Sequence, residues 1–460
     1  MARVDLPAIP LNPESGEPLY RQLYVSIKAG IQSGAIGDGV RLPATRELAG
    51  QLGVNRATVG LAYELLEKEG LLTAHVGRGT FVHAPPASDG VISFASSRPA
   101  SELFPVEAVQ RILQSTARDG ERLRSLLQLG SPLGYQPLRE YLASDGSGEV
   151  LITSGCQQAL DLLARAYVQP GDLLMVEDPA YPGLREVFHR SGARLIGLPV
   201  GEIGLDVEAL ELVLRREHPR MLLVTPDFQN PTGATLPVEA RQRILELVGR
   251  HGIPVVEIAI YRGLRYEGDD IPSLRDLDAS GSVIHIGSFS KIAFPGLRVG
   301  WVNAPREVVD RLAEAKQWCD LHTDHLSQYL LHEFARSGAL EAHRRQALEA
   351  GRERLRAAVE SLEACREVEH FTRPQGGMSL WATLRGGVEA ERVLEMLAGR
   401  VTFLPGTAFA VSRRHVHSLR LSFAGLRPQA IRKGIGILSE GARQAPAAGE
   451  RYGTPHMAIV

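Results

Sequence analysis

Apolar side chains recur at every fourth position, at Leu19, Leu23, Ile27 and Ile31. This stretch therefore predicts a helix with one apolar face. In LPATRELAGQLGV, Leu48, Ala49 and Leu52 share the inner face of a second helix, which Thr45 is placed to cap. Asn55 is placed to cap a third helix, RATVGLAYELLEKE, with Gly70 at its end. Only Gly-Val-Asn separates the second helix from the third, so the turn is tight. LLTAHVGRGTFV then reads as two strands around a glycine turn. Helix, short turn, helix and hairpin in this order is the winged helix-turn-helix pattern.

The pattern changes after HAPPASDG, whose Pro, Ala, Ser, Asp and Gly mark a linker over residues 84–90. From Val91 onward, helical stretches alternate with the apolar runs EVLITSG, DLLMVEDP, MLLVTPD, IPVVEIAI and SVIHIGSFS. Such runs, each closed by turn residues, are buried strands of a mostly parallel sheet, and helices must connect them. After about residue 340 comes a long charged helix, ALEAHRRQALEAGRERLRAAVESLEA, and then short strands in GGMSLWATL, VTFLPG and SLRLSFA. The expected fold class is α/β. A winged helix-turn-helix unit occupies 14–83, a large domain 91–340, a small α+β lobe 341–440 and a loosely ordered tail 441–460.

Length and composition narrow the function. A chain of 460 residues is too long for one ordinary core. With 51 basic and 53 acidic residues the net charge is -2, which excludes nucleic-acid binding through overall positive charge but leaves room for a local surface. Cys156, Cys319 and Cys365 stand far apart without a CxxC pair, which argues against a disulfide scaffold or a cysteine-rich zinc site and fits a reducing cytoplasm. No His, Cys and Asp cluster has metal-ligand spacing, and His415 and His417 are expected to face solvent. The N-terminus lacks the apolar core of a leader, and no apolar run reaches the roughly 18 residues of a membrane span. The expected location is cytoplasmic, with no membrane partner.

The first zone carries chemistry suited to DNA. Arg41, Arg46, Arg56 and Arg78 fall on or near pieces that would face a groove, and Arg56 opens the third helix. Thr58 can bond a phosphate, and Gly77 and Gly79 allow the wing backbone a close approach. Ordinary surface arginines on a small helical domain would give the same periodicity and charge. The word pattern separates the two. LPxTRELAxxLGVxRxTVxxAYxxLxxEGLL with the closing GxGTFV resembles the winged helix-turn-helix domain of GntR-type transcription regulators over nearly the whole zone. The resemblance implies double-stranded DNA as partner, contacted by Arg46, Arg56, Thr58 and the wing at Gly77.

The large domain carries a second set of words. SGCQQALDLL is a turn leading into a helix, where backbone N–H groups and the Ser154 hydroxyl make an anion site. GSFSKIAFPGLRVGW gathers Ser288, Ser290, Lys291 and Arg298, and two hydroxyls with a guanidinium suit a phosphate dianion. An arginine near Lys291 lowers the amine's pKa, which favours Schiff-base chemistry. A phosphorylated aldehyde would use all of these groups, and pyridoxal 5′-phosphate is such a molecule. Tyr181 in DPAYPG can stack on a flat ring. Asn230 in TPDFQNPTG and Tyr261 after PVVEIAI can reach a phenolic oxygen, and Arg420 in SLRLSFA can pair with a carboxylate.

Each word has a plainer explanation: SxSK is a common surface loop, NPTG a common turn, and Arg420 can pair with any acid. Their order on strand ends weakens that explanation for the set, because doubly wound sheets bind ligands there. From about Val91 to Arg432 the chain resembles fold-type-I pyridoxal-phosphate-dependent aminotransferases. That resemblance implies an internal aldimine, the Schiff base, at Lys291. It places Ser154, Gly155, Cys156, Ser288, Ser290 and Arg298 around the phosphate. It also stacks Tyr181 on the ring, sets Asn230 and Tyr261 at the phenolic oxygen and gives Arg420 the substrate carboxylate. The fusion of the two zones resembles MocR-type regulators. It implies a homodimer whose aminotransferase-like domain binds the cofactor, with a small amino compound as effector or substrate, and controls DNA binding.

Two positions depart from that pattern. Family members read EDDxY where this chain reads EIAIY, so Ile258 stands where an aspartate keeps the pyridine nitrogen protonated, and Ala259 replaces the next acid. Glu257 is one residue away and points to the other face of an extended strand. Leu129 stands where the family has a tyrosine that reaches a phosphate across the dimer. The expectation is cofactor binding with weak or absent transamination, hence a responsive regulator. The alternative is an amino-acid aminotransferase with a fused DNA-binding domain.

Overall fold

The every-fourth-residue pattern becomes helix α1 (Leu19–Gln32), with Leu23, Ile27 and Ile31 buried. The computed structural model describes residues 11, 17–32, 36, 40, 42–69, 71–75, 79–82, 91–143 and 148–445. The chain divides into two compact units, residues 1–91 and 92–460. In the first, α2 (Thr45–Leu52) ends on Gly53 in the left-handed conformation, φ 65°, which glycine adopts without strain. Asn55 then caps α3 (Arg56–Lys68) by accepting from the Ala57 N–H at 3.0 Å. Thr45 is not the cap of α2. Ala44 holds that position without a side-chain bond, and the Thr45 hydroxyl instead accepts from Arg56 Nε at 3.4 Å. Val59, Ala62, Tyr63 and Leu66 of α3 share one core with the α1 face. The wing is the antiparallel pair β1 (Leu72–His75) and β2 (Gly79–Val82). Gly70 and the wing tip, with Gly77 and Arg78, lie outside the described residues, as does Arg41.

The second unit opens with β3 (Ile92–Ser93) and continues into a sheet of eight strands. These are β4 (Glu149–Thr153), β5 (Leu173–Asp178), β6 (Arg194–Gly201), β7 (Gly204–Leu205), β8 (Met221–Val224), β9 (Val255–Ile258), β10 (Val283–Ser288) and β11 (Gly300–Ala304). Their spatial order is β4-β11-β10-β9-β8-β5-β6-β7. The pairings from β10 through β6 are parallel, while β11 runs antiparallel to both neighbours and β7 antiparallel to β6. All residues of β5, β8 and β9 are buried, because helices cover both faces. Their runs are accordingly apolar almost throughout, and each buried leucine or valine contributes about 1.5–3 kcal/mol. The five expected strands are present. The pattern missed β6, whose residues are mostly half-buried, the two-residue β7, and β11, which begins at the end of the GSFSKIAFPGLRVGW motif.

The small lobe follows the long helix Ala339–Glu363. It contains β12 (Val368–Phe371), β13 (Ser379–Leu384), β14 (Val401–Thr402), β15 (Leu404–Pro405) and β16 (Ser418–Ser422). β12, β13, β16 and β15 form an antiparallel sheet, and β14 pairs in parallel with β3. The residues just after the linker thus join the small lobe, although they precede the large domain in sequence. The last helix runs from Pro428 to Gln444, with Gly441 and Ala442 buried. Residues 441–444, which composition assigned to a loose tail, therefore continue the last helix, with Arg443 and Gln444 exposed; Ala445 after them is buried, and residues 446–460 lie outside the described residues. His415 and His417 are half-buried and hydrogen-bonded within the protein rather than turned out to solvent. His415 Nε2 bonds Asp178 Oδ1 at 3.0 Å, and His417 Nδ1 bonds the Val388 carbonyl at 3.0 Å. Asp178 also accepts from the N–H groups of Val411, Ser412 and Arg413, which ties the small lobe to the end of β5.

Candidate functional site

β4, β5, β8, β9 and β10 all end at one edge of the sheet, and the residues that follow them line a cleft of about 590 Å³. Cys156, Tyr181, Asn230, Tyr261, Ser288, Ser290, Lys291 and Arg298 are among its lining residues, with Arg420 from β16 of the small lobe. Ser154 and Gly155 stand just behind, at the start of the helix Cys156–Tyr167.

The anion-binding end of the cleft is built by residues that follow β10 and β4. Ser288 ends β10, and its hydroxyl bonds the Ser290 hydroxyl at 3.0 Å and accepts from the Ser290 N–H at 3.1 Å. Arg298 is in the left-handed conformation, φ 53°, and its guanidinium donates to the Ser154 carbonyl at 3.3 Å and reaches Ser290 Oγ at 3.5 Å. Gly155 permits this approach, since a Cβ there would stand 2.5 Å from Arg298 Nη2. Hydroxyls, a guanidinium and a helix N-terminus converge on one point, a set of donors for a doubly charged oxyanion.

Lys291 lies beyond them. Burial, reinforced by the nearby guanidinium of Arg420, pulls its amine down to about 8. Its Nζ donates to the Ser97 carbonyl at 2.7 Å and sits 5.8 Å from the Tyr261 ring centroid. Tyr261 is buried and accepts from Asn230 Nδ2 at 3.2 Å. Asn230 Oδ1 in turn accepts from Arg420 Nη1 at 3.0 Å. The loop that presents Asn230 is anchored by a buried pair, Arg241 with Asp227 at 2.7 Å, and Arg241 also donates to the Leu236 and Pro272 carbonyls. Arg420 lies over the Phe409 ring, donates to the Ala95 carbonyl and keeps its buried Nε without a partner among the described residues. Cys156 is held as a neutral thiol, pushed up to about 12 by burial. Tyr181 caps the helix Pro182–Arg190 at the rim and is 45% exposed, which leaves a face open to a flat ligand.

The floor differs in kind. Ile258 is buried and lines the cleft with Leu160, Leu184, Leu223 and Ile260. Glu257 turns to the opposite face, as strand alternation requires, and accepts from the Leu274 N–H at 2.8 Å, the Arg275 N–H at 3.1 Å and His285 Nδ1 at 2.9 Å. Burial alone would raise its carboxyl, but His285 and the two amides hold it below the usual range.

Ser96, Ser97, Arg98 and Glu177 are among the lining residues that sequence reasoning did not single out. Glu177, pushed up to about 8 by burial, is the one carboxyl on the lining, and its Oε1 has no partner among the described residues. The first three follow the linker in a polar SSR triplet between ISFA and a proline, a signal weak in itself. Leu129, where the family tyrosine was missed, is 79% exposed.

In the N-terminal unit, Arg46 and Arg56 are exposed and Thr58 is half-buried near the start of α3. Tyr63 donates to the Pro43 carbonyl at 2.9 Å, which fixes the approach to α2. The wing is tied to the segment before α2 by Leu42 N–H to Thr80 O at 2.9 Å and Val82 N–H to Val40 O at 2.8 Å. Gly77 lies outside the described residues. Among the described residues no helix is long and apolar enough to cross a membrane, and no group of His, Cys, Asp or Glu is set to hold a metal ion.

Comparison with known proteins bears on both units. Residues 91–438 match the family described as aminotransferase class I and II, and residues 19–82 match bacterial regulatory proteins, gntR family. The 2-aminoadipate transaminase of Thermus thermophilus is 40% identical, over 75% of this chain and 88% of that protein. The probable rhizopine catabolism regulatory protein MocR of Rhizobium meliloti is 30% identical, over 93% of this chain and 94% of that protein. The crystal structure of LysN, an α-aminoadipate aminotransferase of Thermus thermophilus complexed with N-(5′-phosphopyridoxyl)-L-leucine, superposes with a TM-score of 0.72. It is 38% identical and covers 77% of this chain and 92% of that one.

Proposed function

The chain belongs to the aminotransferase class I and II family and carries a gntR-family DNA-binding domain ahead of it, a fusion of MocR type, and on that premise we propose that it is a transcription regulator responsive to pyridoxal phosphate and an amino compound, with little or no transamination. The observation that carries this reading is the asymmetry of the cleft. Donors for a phosphate, an amine and donors for a carboxylate stand together at one sheet edge, above a floor where Ile258 offers no acid.

Pyridoxal 5′-phosphate is the cofactor that family membership implies, and the residues present fit it. Ser288, Ser290, Arg298, Ser154, Gly155 and Cys156 would surround the phosphate, and Tyr181 would stack on the ring. Tyr261 and Asn230 would meet the phenolic oxygen. The unpartnered Nε of Arg420 is a buried donor that awaits an acceptor. When bound, this cofactor supplies an aldehyde that condenses with amines and a ring that takes up electrons. Lys291 contributes an amine that is deprotonated in useful amount near neutral pH, as condensation requires. Ile258 cannot hold a proton on the ring nitrogen. Its loss falls on the step that moves electrons into the ring, so binding and amine exchange survive better than transamination.

Ligand binding has a place to be felt. The Ser97 and Ala95 carbonyls engage Lys291 Nζ and Arg420 Nη2, so a ligand that takes either of these two donors displaces this segment, which begins five residues after Gly90, the last residue of the linker. A homodimer acting on double-stranded DNA in the cytoplasm completes the reading. One helix-turn-helix unit grips too few base pairs for strong specificity. The exposed side chains Leu127, Leu129, Trp318 and Leu321 offer apolar surface for a second copy. Arg46, Arg56, Thr58 and the wing at Gly77 would contact the duplex.

The 40% identity to a transaminase favours a second reading, an amino-acid aminotransferase with a fused DNA-binding domain. A gel-shift titration on the DNA upstream of the protein's own gene, at stated salt, separates the two. The regulator reading expects specific binding that shifts when cofactor and amino acids are added. Absence of binding together with rapid conversion of bound cofactor by an amino acid would install the enzyme reading instead.

A further inference from the structure

The turn Thr153–Cys156 at the phosphate end is shaped by four hydrogen bonds. The Gly155 N–H donates to the Thr153 carbonyl at 2.8 Å, and the Thr153 hydroxyl donates to the Gly155 carbonyl at 3.1 Å. These two close the turn on itself but do not aim it. The other two reach outside it. Arg298 donates to the Ser154 carbonyl at 3.3 Å, and the Ser154 N–H donates to Gln158 Oε1 at 2.7 Å. Arg298 belongs to the phosphate end itself. Gln158 is not among the cleft's lining residues, and its bonds lead away from the cleft.

A side-chain amide can present either end. Its oxygen accepts, its nitrogen donates, and the two are alike in size, so a neighbour must decide which one faces Ser154. Asp320 decides. Its Oδ2 accepts from Gln158 Nε2 at 2.7 Å, and a carboxylate only accepts. The nitrogen must therefore face Asp320, which turns the oxygen to the Ser154 N–H. The other carboxylate oxygen, Oδ1, takes Lys316 Nζ at 2.6 Å. Lys316 is 0% exposed, in the last turn of the helix Arg306–Gln317, which packs on the helix Cys156–Tyr167. An ammonium so buried needs a carboxylate beside it. Asp320 is kept within reach by the turn after that helix, where the N–H groups of Cys319 and Asp320 return to the Lys316 carbonyl at 2.9 and 3.1 Å.

We propose that Asp320 is a positioning residue of the phosphate end. Held by Lys316, it fixes the amide of Gln158, which holds the Ser154 N–H and sets the turn Thr153–Cys156 to receive an oxyanion. The proposal rests on the reading of the cleft as a cofactor site, and it gives that site a support outside the cleft. Asp320→Asn shows what the carboxylate does. The new amide keeps its oxygen on the Lys316 ammonium and points its nitrogen at Gln158. Gln158 must then turn over to accept, and its own nitrogen meets the Ser154 N–H, donor against donor.

The test uses the full-length protein and two aldehydes, pyridoxal 5′-phosphate and pyridoxal. They share the ring and the absorbance of the lysine-linked form and differ only in the phosphate. Spectroscopic titration gives each affinity, and the quantity read is their ratio. A general loss of packing lowers both affinities and leaves the ratio alone. Asp320→Asn should lower the ratio about tenfold, the worth of one well-aimed hydrogen bond at an anion site. Gln158→Met removes the amide at similar length and should lower it by the same amount, without touching the buried pair. Asp320→Asn added to Gln158→Met should cost nothing more, because the two act through one contact. A ratio that either single variant leaves intact, or losses that multiply in the double variant, overturns the positioning role while the cofactor reading stands. A parent that takes pyridoxal as tightly as pyridoxal phosphate, or captures neither, overturns the reading of the cleft and this proposal with it.

Discussion

The two ends of the cleft were built to different standards. At the phosphate end, Ser288, Ser290, Arg298 and the start of the helix Cys156–Tyr167 converge through bonds of 3.0 to 3.5 Å, and nothing required for an oxyanion is missing. At the ring end, on the neighbouring strand, Ile258 packs with Ile284 and Ile286 and presents hydrocarbon. β9 and β10 are adjacent, with Ile258 opposite Ile286, so the contrast arises within two strand ends. A cofactor is gripped mainly by its phosphate, whereas its catalytic power depends on its ring. On the proposed reading, keeping the first without the second would leave a ligand-binding device with little catalysis.

The most complete effect is expected at the hinge between the two ends. Lys291→Ala removes the only side-chain amine on the cleft wall among the described residues. It should abolish the visible absorbance of lysine-linked cofactor and the adduct fixed by borohydride, read by absorbance and by intact mass. Persistence of the adduct at full yield would move the covalent site elsewhere. Next in size is the repair of the ring end. Ile258→Asp should speed the single-turnover conversion of bound cofactor by L-glutamate by about a hundredfold, because a carboxylate at the ring nitrogen acts on the transition state. The cost is a charge beside Ile284 and Ile286 when the cofactor is absent, so thermal stability of the unloaded protein should fall. An unchanged rate would mean that the floor is not what limits the chemistry.

Weakening the strong end should do the reverse. Arg298→Leu removes a charge-assisted donor and should weaken cofactor binding about ten- to hundredfold in a spectroscopic titration, with little change in the rate of whatever conversion the loaded protein performs. If binding held while the rate fell, the assignment of the two ends would be inverted.

What could be read without coordinates follows a physical line. The helix-turn-helix was legible because its determinants are local: periodic leucines and isoleucines in α1, the Asn55 cap and the Gly53 turn. The face of Glu257 was legible for the same reason, since alternation along a strand is a property of the strand alone. Words such as SFSK also announced their residues, because each lies within a few positions of a strand end. Contacts that join distant segments left less trace. Nothing near His415 foretells its bond to Asp178, 237 positions away. The link of Lys291 to Ser97 and of Arg420 to Ala95 runs through main-chain oxygens, which every residue possesses, so no side-chain pattern records it. The order of residues 441–444 was misjudged because glycine and alanine read as loose, yet Gly441 is the residue that lets Leu397 approach the last helix, where a Cβ would stand 2.6 Å from Leu397 Cδ2.

The smallest expected effect concerns the amine between the two ends, and its sign follows from the depressed pKa. An ordinary lysine stays protonated until about pH 10.4. Burial and the guanidinium of Arg420 pull Lys291 down to about 8, so its nucleophilic form grows steeply between pH 7 and 9 and then saturates. The initial rate at which cofactor-free protein captures pyridoxal phosphate should therefore rise about tenfold over that interval and level off above it. Stopped-flow absorbance measures this directly. A rate still climbing at pH 10 would place the amine in solvent rather than against Ser97 and Tyr261. Arg420→Gln takes away the largest neighbouring charge and should move the midpoint upward. Ile258→Asp, on the strand beside it, adds a carboxylate to the same cleft and should also raise the midpoint. The hydrocarbon floor, on this argument, does two things at once: it starves the ring of its proton, and it spares the lysine a negative neighbour that would keep it charged.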